Sequence, residues 1–179
     1  CRELFATPKL LKHRVLFSLI YSAGLRIREG SVLKQSDIDF DRMTIHIRQS
    51  KYNKDRMVPL SNNIKKGLIK YYNTCHPRIY VFNGIDGHRC LSVRAIQHMF
   101  RETVRKTSIK KKVTTHSLRH SYATHLCEEG VDILTIRDLL GHEDLVTTMV
   151  YLHVANRSRV NAYSPFDSLY SRSDGPSKV

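Results

Sequence analysis

The sequence predicts an α+β domain that is mostly α-helical, with a small antiparallel β-hairpin or sheet on one side. Apolar residues recur at spacings of three and four along most of the chain, and Gly24, Gly130 and Gly141 are suitable helix stops. Only residues 43–60 change to an alternation of period two. A chain of 179 residues with 41% hydrophobic residues is long enough for one domain with its own core.

The first predicted helix covers residues 8–22, because Pro8 is favoured in a first helical turn and a regular apolar stripe follows it. Gly24 ends this helix. The next turn carries Arg26 between two apolar residues and leads into a short helix. Glu29 lies three positions further on, where its carboxylate can orient the guanidinium. Arginines in such turns often face solvent, so this pair alone does not define a site.

Residues 43–60 are predicted to form the hairpin. Met43, Ile45 and Ile47 alternate with polar residues, residues 49–54 resemble a turn, and residues 56–60 form the returning strand. Lysines 51 and 54 therefore lie near the tip. A basic tip is usually only a solvated turn, but a lysine there is also a suitable general acid when desolvation lowers its pKa.

Beyond the hairpin, apolar spacing, capping residues and glycine stops predict five more helices and one short strand. The helices are residues 61–72, 92–106, 117–129, 132–140 and 145–156, and the strand is residues 79–82. We expect residues 1–156 to form the folded domain and residues 157–179 a polar tail. Phe166, Leu169 and Tyr170 form a small apolar patch in this tail, which is a candidate contact with a partner.

The charge of the chain indicates a polyanionic partner. Formal net charge is +14 and the isoelectric point is about 9.9, and Lys110, Lys111 and Lys112 stand in direct succession within a basic stretch. Ribosomal, membrane-surface and heparin-binding proteins share such an excess, and a basic loop can simply be solvated. The overall balance nevertheless favours nucleic acid and contacts to its phosphate backbone.

Other features restrict the class of protein. No apolar run approaches the roughly 18 residues of a membrane span. The four cysteines show no CxxC spacing, which is typical of free thiols in a reducing compartment. We therefore expect a cytoplasmic protein without membrane contact. Because the chain starts at Cys1, we also expect it to be part of a longer protein.

A group of reactive side chains lies between residues 115 and 151. His116 and Arg119 fall on one helix face, His142 follows a glycine stop, and Tyr151 lies on the next helix. Charge stabilisers, a proton carrier and a nucleophile are the groups that metal-free phosphoryl transfer requires. His116 and His120 have the i, i+4 spacing of a zinc site, but Ser117 stands where that motif has glutamate, so we expect no metal. The sequence contains neither a P-loop nor a G-x-S-x-G elbow.

Five motifs in this order resemble the tyrosine recombinase (phage integrase) family. They occupy residues 24–29, 50–60, 115–124, 139–142 and 147–154, so the resemblance covers nearly the whole chain up to about Val154. The fold it implies is the helical catalytic domain of that family.

The resemblance also implies a mechanism. Tyr151 is the nucleophile that attacks a DNA phosphate and forms a 3′-phosphotyrosyl link. Arg26 and Arg119 bind the non-bridging oxygens, Lys51 protonates the leaving 5′-oxygen, and His116 assists proton transfer at the tyrosine. The link conserves the energy of the phosphodiester, so religation needs no cofactor, ATP or metal.

Further roles complete the expected site. His142 is expected to donate a hydrogen bond to the phosphate, and Glu29 to orient Arg26. The expected DNA contacts are Arg28, Lys54, Arg56, Lys110, Lys111 and Lys112.

The implied function is site-specific recombination or integration of DNA, as in mobile elements. Its partners would be a double-stranded recombination site and three further protomers in a homotetrameric synapse, with a monomer as the free fragment. The family's N-terminal core-binding domain is expected to be missing from these residues. Two alternatives remain: a type IB topoisomerase-like nicking-closing enzyme, and a non-catalytic DNA-binding relic.

Overall fold

The computed structural model describes residues 2–48, 55–84 and 86–152, and within them it contains eight α-helices and one three-stranded antiparallel sheet. In chain order the elements are α1 (Arg2–Ala6), α2 (Leu11–Ser22), α3 (Ile27–Val32), a 3₁₀ turn (Gln35–Asp37), β1 (Ile38–Asp39), β2 (Thr44–Ile47), β3 (Arg56–Pro59), α4 (Asn62–Cys75), α5 (Val93–Val104), α6 (Thr115–Glu128), α7 (Ile133–Leu140) and α8 (Leu145–Met149). The predicted fold class, mostly helical with a small antiparallel sheet, is confirmed.

Helix α2 lies at the centre of the domain. Its residues Leu16, Phe17, Leu19 and Ile20 are completely buried, as the apolar stripe of the sequence predicts. The helix packs against α4 and α6, and Phe17 meets Phe100 of α5 edge to face at 5.3 Å. Burial of these side chains contributes to the apolar stabilisation of the domain.

The sheet has the order β1-β2-β3, with Ile45 opposite Val58 and Ile47 opposite Arg56. The predicted hairpin is therefore present, and the short strand β1 extends it by one further strand. Ile45, Ile47 and Val58 are buried while Met57 is 54% exposed, as the two-residue period requires. The same period places the side chain of Arg56 on the inner face together with Val58.

The predicted strand at residues 79–82 is wrong. Single bridges pair Lys34 with Tyr80 and Asn83 with Cys90, and no strand extends from either of them within the described residues. Residues 80–83 bond first to one neighbouring segment and then to another. The amide of Val81 donates to the carbonyl of Leu33, whereas the carbonyl of the next residue, Phe82, accepts from the amide of Leu91. No ladder can propagate under these conditions.

Several predicted helix limits also differ from the structure; helix α4, for example, ends at Cys75 rather than at residue 72. Helix α2 begins at Leu11, so Pro8 precedes it, and the unpredicted helix α1 lies before both. Helix α8 ends at Met149, whereas the prediction continued it through Tyr151 to residue 156. The amide of Tyr151 donates to the carbonyl of Thr148, three residues back, at 3.0 Å, which is the bond of a tight turn. The last four predicted helical positions, 153–156, and the predicted tail lie outside the described residues.

Among the helices of the described ranges, none has both the length and the apolar content needed to cross a bilayer.

Candidate active site

The turn between α2 and α3 places Arg26 at the start of the site. Gly24 has φ +58°, a left-handed conformation that favours glycine, and the chain then enters α3 with Arg26 at its N-cap. Glu29 accepts from the Arg26 backbone amide at 2.7 Å and from its Nη1 at 2.9 Å. The carboxylate therefore orients this guanidinium, as the spacing of the two residues predicts.

Glu29 is the anionic centre of an arginine cluster. Its side chain is 8% exposed, and its two oxygens also accept from Arg56 Nη1 and Nη2 at 2.8 and 2.7 Å. Together with Arg26, these bonds occupy the roughly four lone-pair sites of the carboxylate. Burial by itself would raise the pKa of Glu29, but the hydrogen bonds and charges of Arg56 and Arg26 lower it below its usual value.

The C-terminal end of α7 binds three guanidiniums. Successive carbonyls at residues 139–141, which have no partner within a regular helix, each accept from a different arginine. The bonds are Arg56 Nε to Leu139 (2.9 Å), Arg119 Nη2 to Leu140 (2.5 Å) and Arg26 Nη2 to Gly141 (3.0 Å). The partial negative charge of a helix C-terminus favours cations at this position. The arrangement brings α3, β3, α6 and α7 together at one point.

Arg119 is the most buried of these arginines, with 2% of its side chain exposed. Its second anchor is the carbonyl of Gly24, to which Nη1 donates at 2.6 Å. The same nitrogen lies 4.0 Å from Glu29. Desolvation lowers the pKa of Arg119 to about 10, and the charge of Arg26 contributes to the decrease. Arg119 remains a cation at neutral pH.

His142 immediately follows the α7 terminus. The left-handed Gly141 (φ +62°) turns the chain, and the amide of His142 donates to the carbonyl of Arg137 at 3.0 Å. Its Nδ1 lies 2.9 Å from the hydroxyl of the buried Thr148. Desolvation and then the charge of Arg119 lower the pKa of His142 to about 4. The imidazole is therefore neutral at pH 7, and Nε2 can donate when Nδ1 accepts from the hydroxyl.

His116 lies in the first turn of α6, three residues before Arg119. Its side chain is exposed. Desolvation, followed by the charge of Arg119, lowers its pKa, so this imidazole is also neutral at pH 7. A neutral histidine at the open side of an arginine cluster is a suitable proton acceptor.

Tyr151 borders the cluster from the turn after α8. It is 6% exposed and packs with Tyr122 and other residues of α6 and α7. Its ring centroid lies 5.0 Å from that of His120. Burial raises the pKa of Tyr151, whereas the charge of Arg119 lowers it. The phenol is thus neutral and in the field of one of the site arginines.

The structure brings Arg26, Glu29, Arg119 and His142 together, with Tyr151 at the edge. Lysines 51 and 54 lie outside the described residues. The predicted DNA contacts Arg28, Lys110, Lys111 and Lys112 are all exposed.

Arg56 requires a correction. It was expected to contact DNA, but its side chain is 7% exposed and is bonded to Glu29 and Leu139. The signal that identifies it is its position two residues before the buried Val58, on the inner face of the strand. His120 and Thr148, which contact Tyr151 and His142, were also missed as parts of the site. Both lie within the motifs at residues 115–124 and 147–154, but a motif does not report which of its side chains meet in the fold.

Comparison with known proteins places this chain in a family. A sequence model described as "Phage integrase family" matches residues 2–158. A tyrosine recombinase of Thermosipho africanus is 40% identical over 152 residues, which is 85% of this chain and 53% of that protein. The tyrosine recombinase XerC of Chlamydia trachomatis serovar L2 is 40% identical over 165 residues, 85% of this chain and 51% of that protein. The chain therefore spans about half the length of these relatives.

Solved structures have the same fold. The XerA recombinase superposes with a TM-score of 0.78 at 28% identity, over 98% of this chain and 63% of that one. The XerH site-specific recombinase, in a post-cleavage complex with its palindromic difH substrate, gives a TM-score of 0.74 at 22% identity, over 84% of this chain and 46% of that one. The match to residues 2–158 shows that this chain belongs to the phage integrase family.

Proposed function

We propose that this chain is the catalytic domain of a site-specific DNA recombinase, which cuts and rejoins strands through a 3′-phosphotyrosyl intermediate. The observation that carries the proposal is the cluster of three arginines around a single carboxylate, with a phenol at its edge. Glu29 offsets one of the three positive charges. An excess of cations is what an incoming phosphodiester requires.

In the first step, the oxygen of Tyr151 attacks phosphorus and the bond from phosphorus to the 5′-oxygen breaks. His116 accepts the proton of the phenol, and Lys51 donates a proton to the leaving oxygen, which departs as a 5′-hydroxyl. In the second step, a 5′-hydroxyl of another strand attacks the phosphotyrosine and releases Tyr151. Each step exchanges one phosphoester bond for another, so the energy of the bond is retained.

Stabilisation of the transition state comes from the guanidiniums and from His142. Arg26 is 26% exposed, so it can still bind a phosphate oxygen while its Nη1 and Nη2 stay anchored. Arg119 binds backbone carbonyls and retains its charge beside the reacting centre. A neutral His142 donates to a phosphate oxygen through Nε2. Because protein groups already fix these donors, they need little reorganisation when the negative charge develops.

The DNA duplex is proposed to lie across the basic surface. Arg28 on α3 and Lys110, Lys111 and Lys112 between α5 and α6 are exposed and available to backbone phosphates. Lys54 is proposed to act from the hairpin. Such contacts provide affinity and its dependence on salt, whereas they do not specify a sequence.

Assembly into a homotetrameric synapse on DNA is part of the proposal, with a monomer as the free fragment. An exposed apolar edge supports a contact between protomers: Val146, Met149 and Val150 on and after α8 are 65%, 44% and 56% exposed. Sedimentation of the chain with and without its DNA site tests the assembly.

The decisive experiment traps the covalent intermediate. The probe is a pool of nicked duplexes with randomised sequence around a 5′-bridging phosphorothiolate, whose leaving thiolate cannot religate. We expect an adduct that survives denaturation with the wild-type chain and no adduct with Tyr151→Phe. Sequencing of the trapped DNA then gives the preferred site.

The matched control is Tyr122→Phe, which removes the other phenol of the same buried cluster and should retain adduct formation. A DNA-binding relic would give no adduct with any chain. A nicking-closing enzyme would form the adduct, but in a strand-exchange assay it would rejoin each cleaved strand only to its original end. Either result would reject the recombinase proposal.

A further inference from the structure

Arg56 is held in the site but has no part in the reaction proposed above. Its Nη1 and Nη2 donate to the two oxygens of Glu29 at 2.8 and 2.7 Å, and its Nε donates to the carbonyl of Leu139 at 2.9 Å. All three nitrogens are thus engaged by protein acceptors, and the side chain is 7% exposed. A guanidinium in this state is not placed to receive a phosphate.

Burial alone does not separate Arg56 from Arg119, which is even less exposed. The difference lies in the partners. Arg119 binds two neutral carbonyls and lies 4.0 Å from Glu29, so its charge remains available. The charge of Arg56 is offset by a bidentate pair with the carboxylate, the geometry in which arginine binds most specifically.

We propose that Arg56 is a positioning residue of this site. It fixes the carboxylate of Glu29 and the end of α7 so that Arg26, Arg119 and His142 face the same phosphate. This inference rests on the proposed function, because the positioning concerns phosphoryl transfer. One guanidinium thereby connects three elements that are distant in the chain: strand β3, helix α3 and the C-terminus of α7.

The effect operates through the acceptor capacity of Glu29. Arg56 supplies two of the four hydrogen bonds that its oxygens accept, and Arg26 supplies the other two. Without Arg56, the nearest cation that does not already donate to this carboxylate is Arg119, at 4.0 Å. The carboxylate would then turn towards Arg119 and offset the charge that the phosphate needs. Loss of the largest cation contact would also raise the pKa of Glu29.

The test compares Arg56→Lys and Arg56→Met with the wild-type chain, using the phosphorothiolate pool. Lysine keeps the charge but lacks the bidentate fork, and methionine removes both. We expect the adduct rate at saturating DNA to fall about 100-fold in each variant, the scale of a small misplacement of catalytic groups. DNA affinity and its salt dependence should not change.

The matched control is Arg48→Met. Arg48 also forms an ion pair, but its partner is Asp37, at 2.6 Å, rather than Glu29, and the Arg48 side chain is 54% exposed. Adduct rates in this variant should equal those of the wild type. Thermal unfolding of every variant shows whether it is folded at the assay temperature.

Three outcomes would overturn the inference. If the Arg56 variants bind DNA more weakly, and the salt dependence of their affinity is smaller by about one counterion, then Arg56 is a phosphate contact. Wild-type rates in both Arg56 variants would make the pair irrelevant to the chemistry. A third readout needs no activity: the ¹⁵Nε side-chain resonances of Arg26 and Arg119 should shift in Arg56→Lys and stay in place in Arg48→Met, and unshifted resonances would refute positioning. Absence of an adduct with the wild-type chain would reject the proposed function instead.

Discussion

The two halves of the site are held in different ways. The half that we propose to bind phosphate, called the phosphate-binding half, joins α3, β3, α6 and α7 through guanidinium bonds to Glu29 and to three successive carbonyls. The half that holds the proposed nucleophile, called the nucleophile half, consists of the five-residue helix α8 and the turn with Tyr151, whose ring contacts His120 and a small apolar cluster. The first half is organised by directional bonds between charged groups, and the second mainly by apolar packing.

This difference suggests a division of roles between the two halves in the proposed reaction. Donors that are fixed in advance stabilise negative charge without reorganisation, and the arginine cluster has this property before DNA arrives. Burial raises the pKa of Tyr151, so the packing of the nucleophile favours its neutral form. In the proposed reaction, activation of the phenol therefore comes from the arginine charges and from a proton acceptor such as His116.

Among the substitutions that test the difference between the two halves, one at Arg119 should change the adduct rate and the stability most. Arg119→Met is expected to lower the adduct rate by about 10²–10³-fold, the cost of removing one donor to a developing oxyanion. It should also destabilise the fold, because the carbonyls of Gly24 and Leu140 lose their buried partner. Single-turnover adduct formation and urea unfolding measure the two effects.

The control is Arg26→Met, whose side chain is 26% exposed compared with 2% for Arg119. We expect a similar loss of rate but a smaller loss of stability, since the bonds of Arg26 are closer to solvent. Equal destabilisation by both substitutions would contradict the view that Arg119 is the structural anchor of the pair.

Substitution of Gly141 tests the contact between the α7 terminus and Arg56. Gly141→Ala should destabilise the chain by roughly 2 kcal/mol, because alanine is strained at φ +62° and its Cβ would lie 3.0 Å from Cδ of Arg56. Gly87 separates the two causes: it has φ +72°, and a Cβ added there would meet no atom within 4 Å. Gly87→Ala should therefore cost only the backbone strain, about 1 kcal/mol. Equal losses of stability in urea unfolding would show that the Arg56 side chain moves away from the added Cβ without a cost in free energy.

Much of the site could be predicted from the sequence because its motifs combine local spacing with local chemistry. Arg26 and Glu29 are three residues apart, and their capping interaction follows from that spacing. Gly141 ends α7 and so places His142 beside the helix terminus. In each case the partners lie within one or two turns of the same segment.

What could not be predicted depends on contacts between distant segments. The bond between Arg56 and Leu139 joins residues 83 positions apart, and no local pattern reports it. Tyr151 was expected inside a helix because its neighbours suit one, whereas the chain turns after Met149 and the ring is buried against α6 and α7.

The smallest predicted effect is the change of stability with pH that His142 causes. The pKa of His142 is about 4 in the folded chain and about 6.5 when unfolded. The unfolded state therefore binds more protons between these values, so stability is fully present above pH 6.5 and decreases as the pH falls towards 4. Between pH 7 and pH 5 we expect His142 to account for about 1 kcal/mol of lost stability, after allowance for solvent screening.

The measurement is urea unfolding of the wild type and of His142→Gln at pH 7 and pH 5. Glutamine retains a polar group beside Thr148 but cannot titrate, so its stability should fall less over this interval. Glu29 does not interfere, because its pKa is lowered from 4.5 and its loss of stability begins below this window. An equal decrease in both chains would mean that His142 is not desolvated by the arginine cluster. In that case the imidazole would lie in solvent, outside the phosphate-binding half of the site.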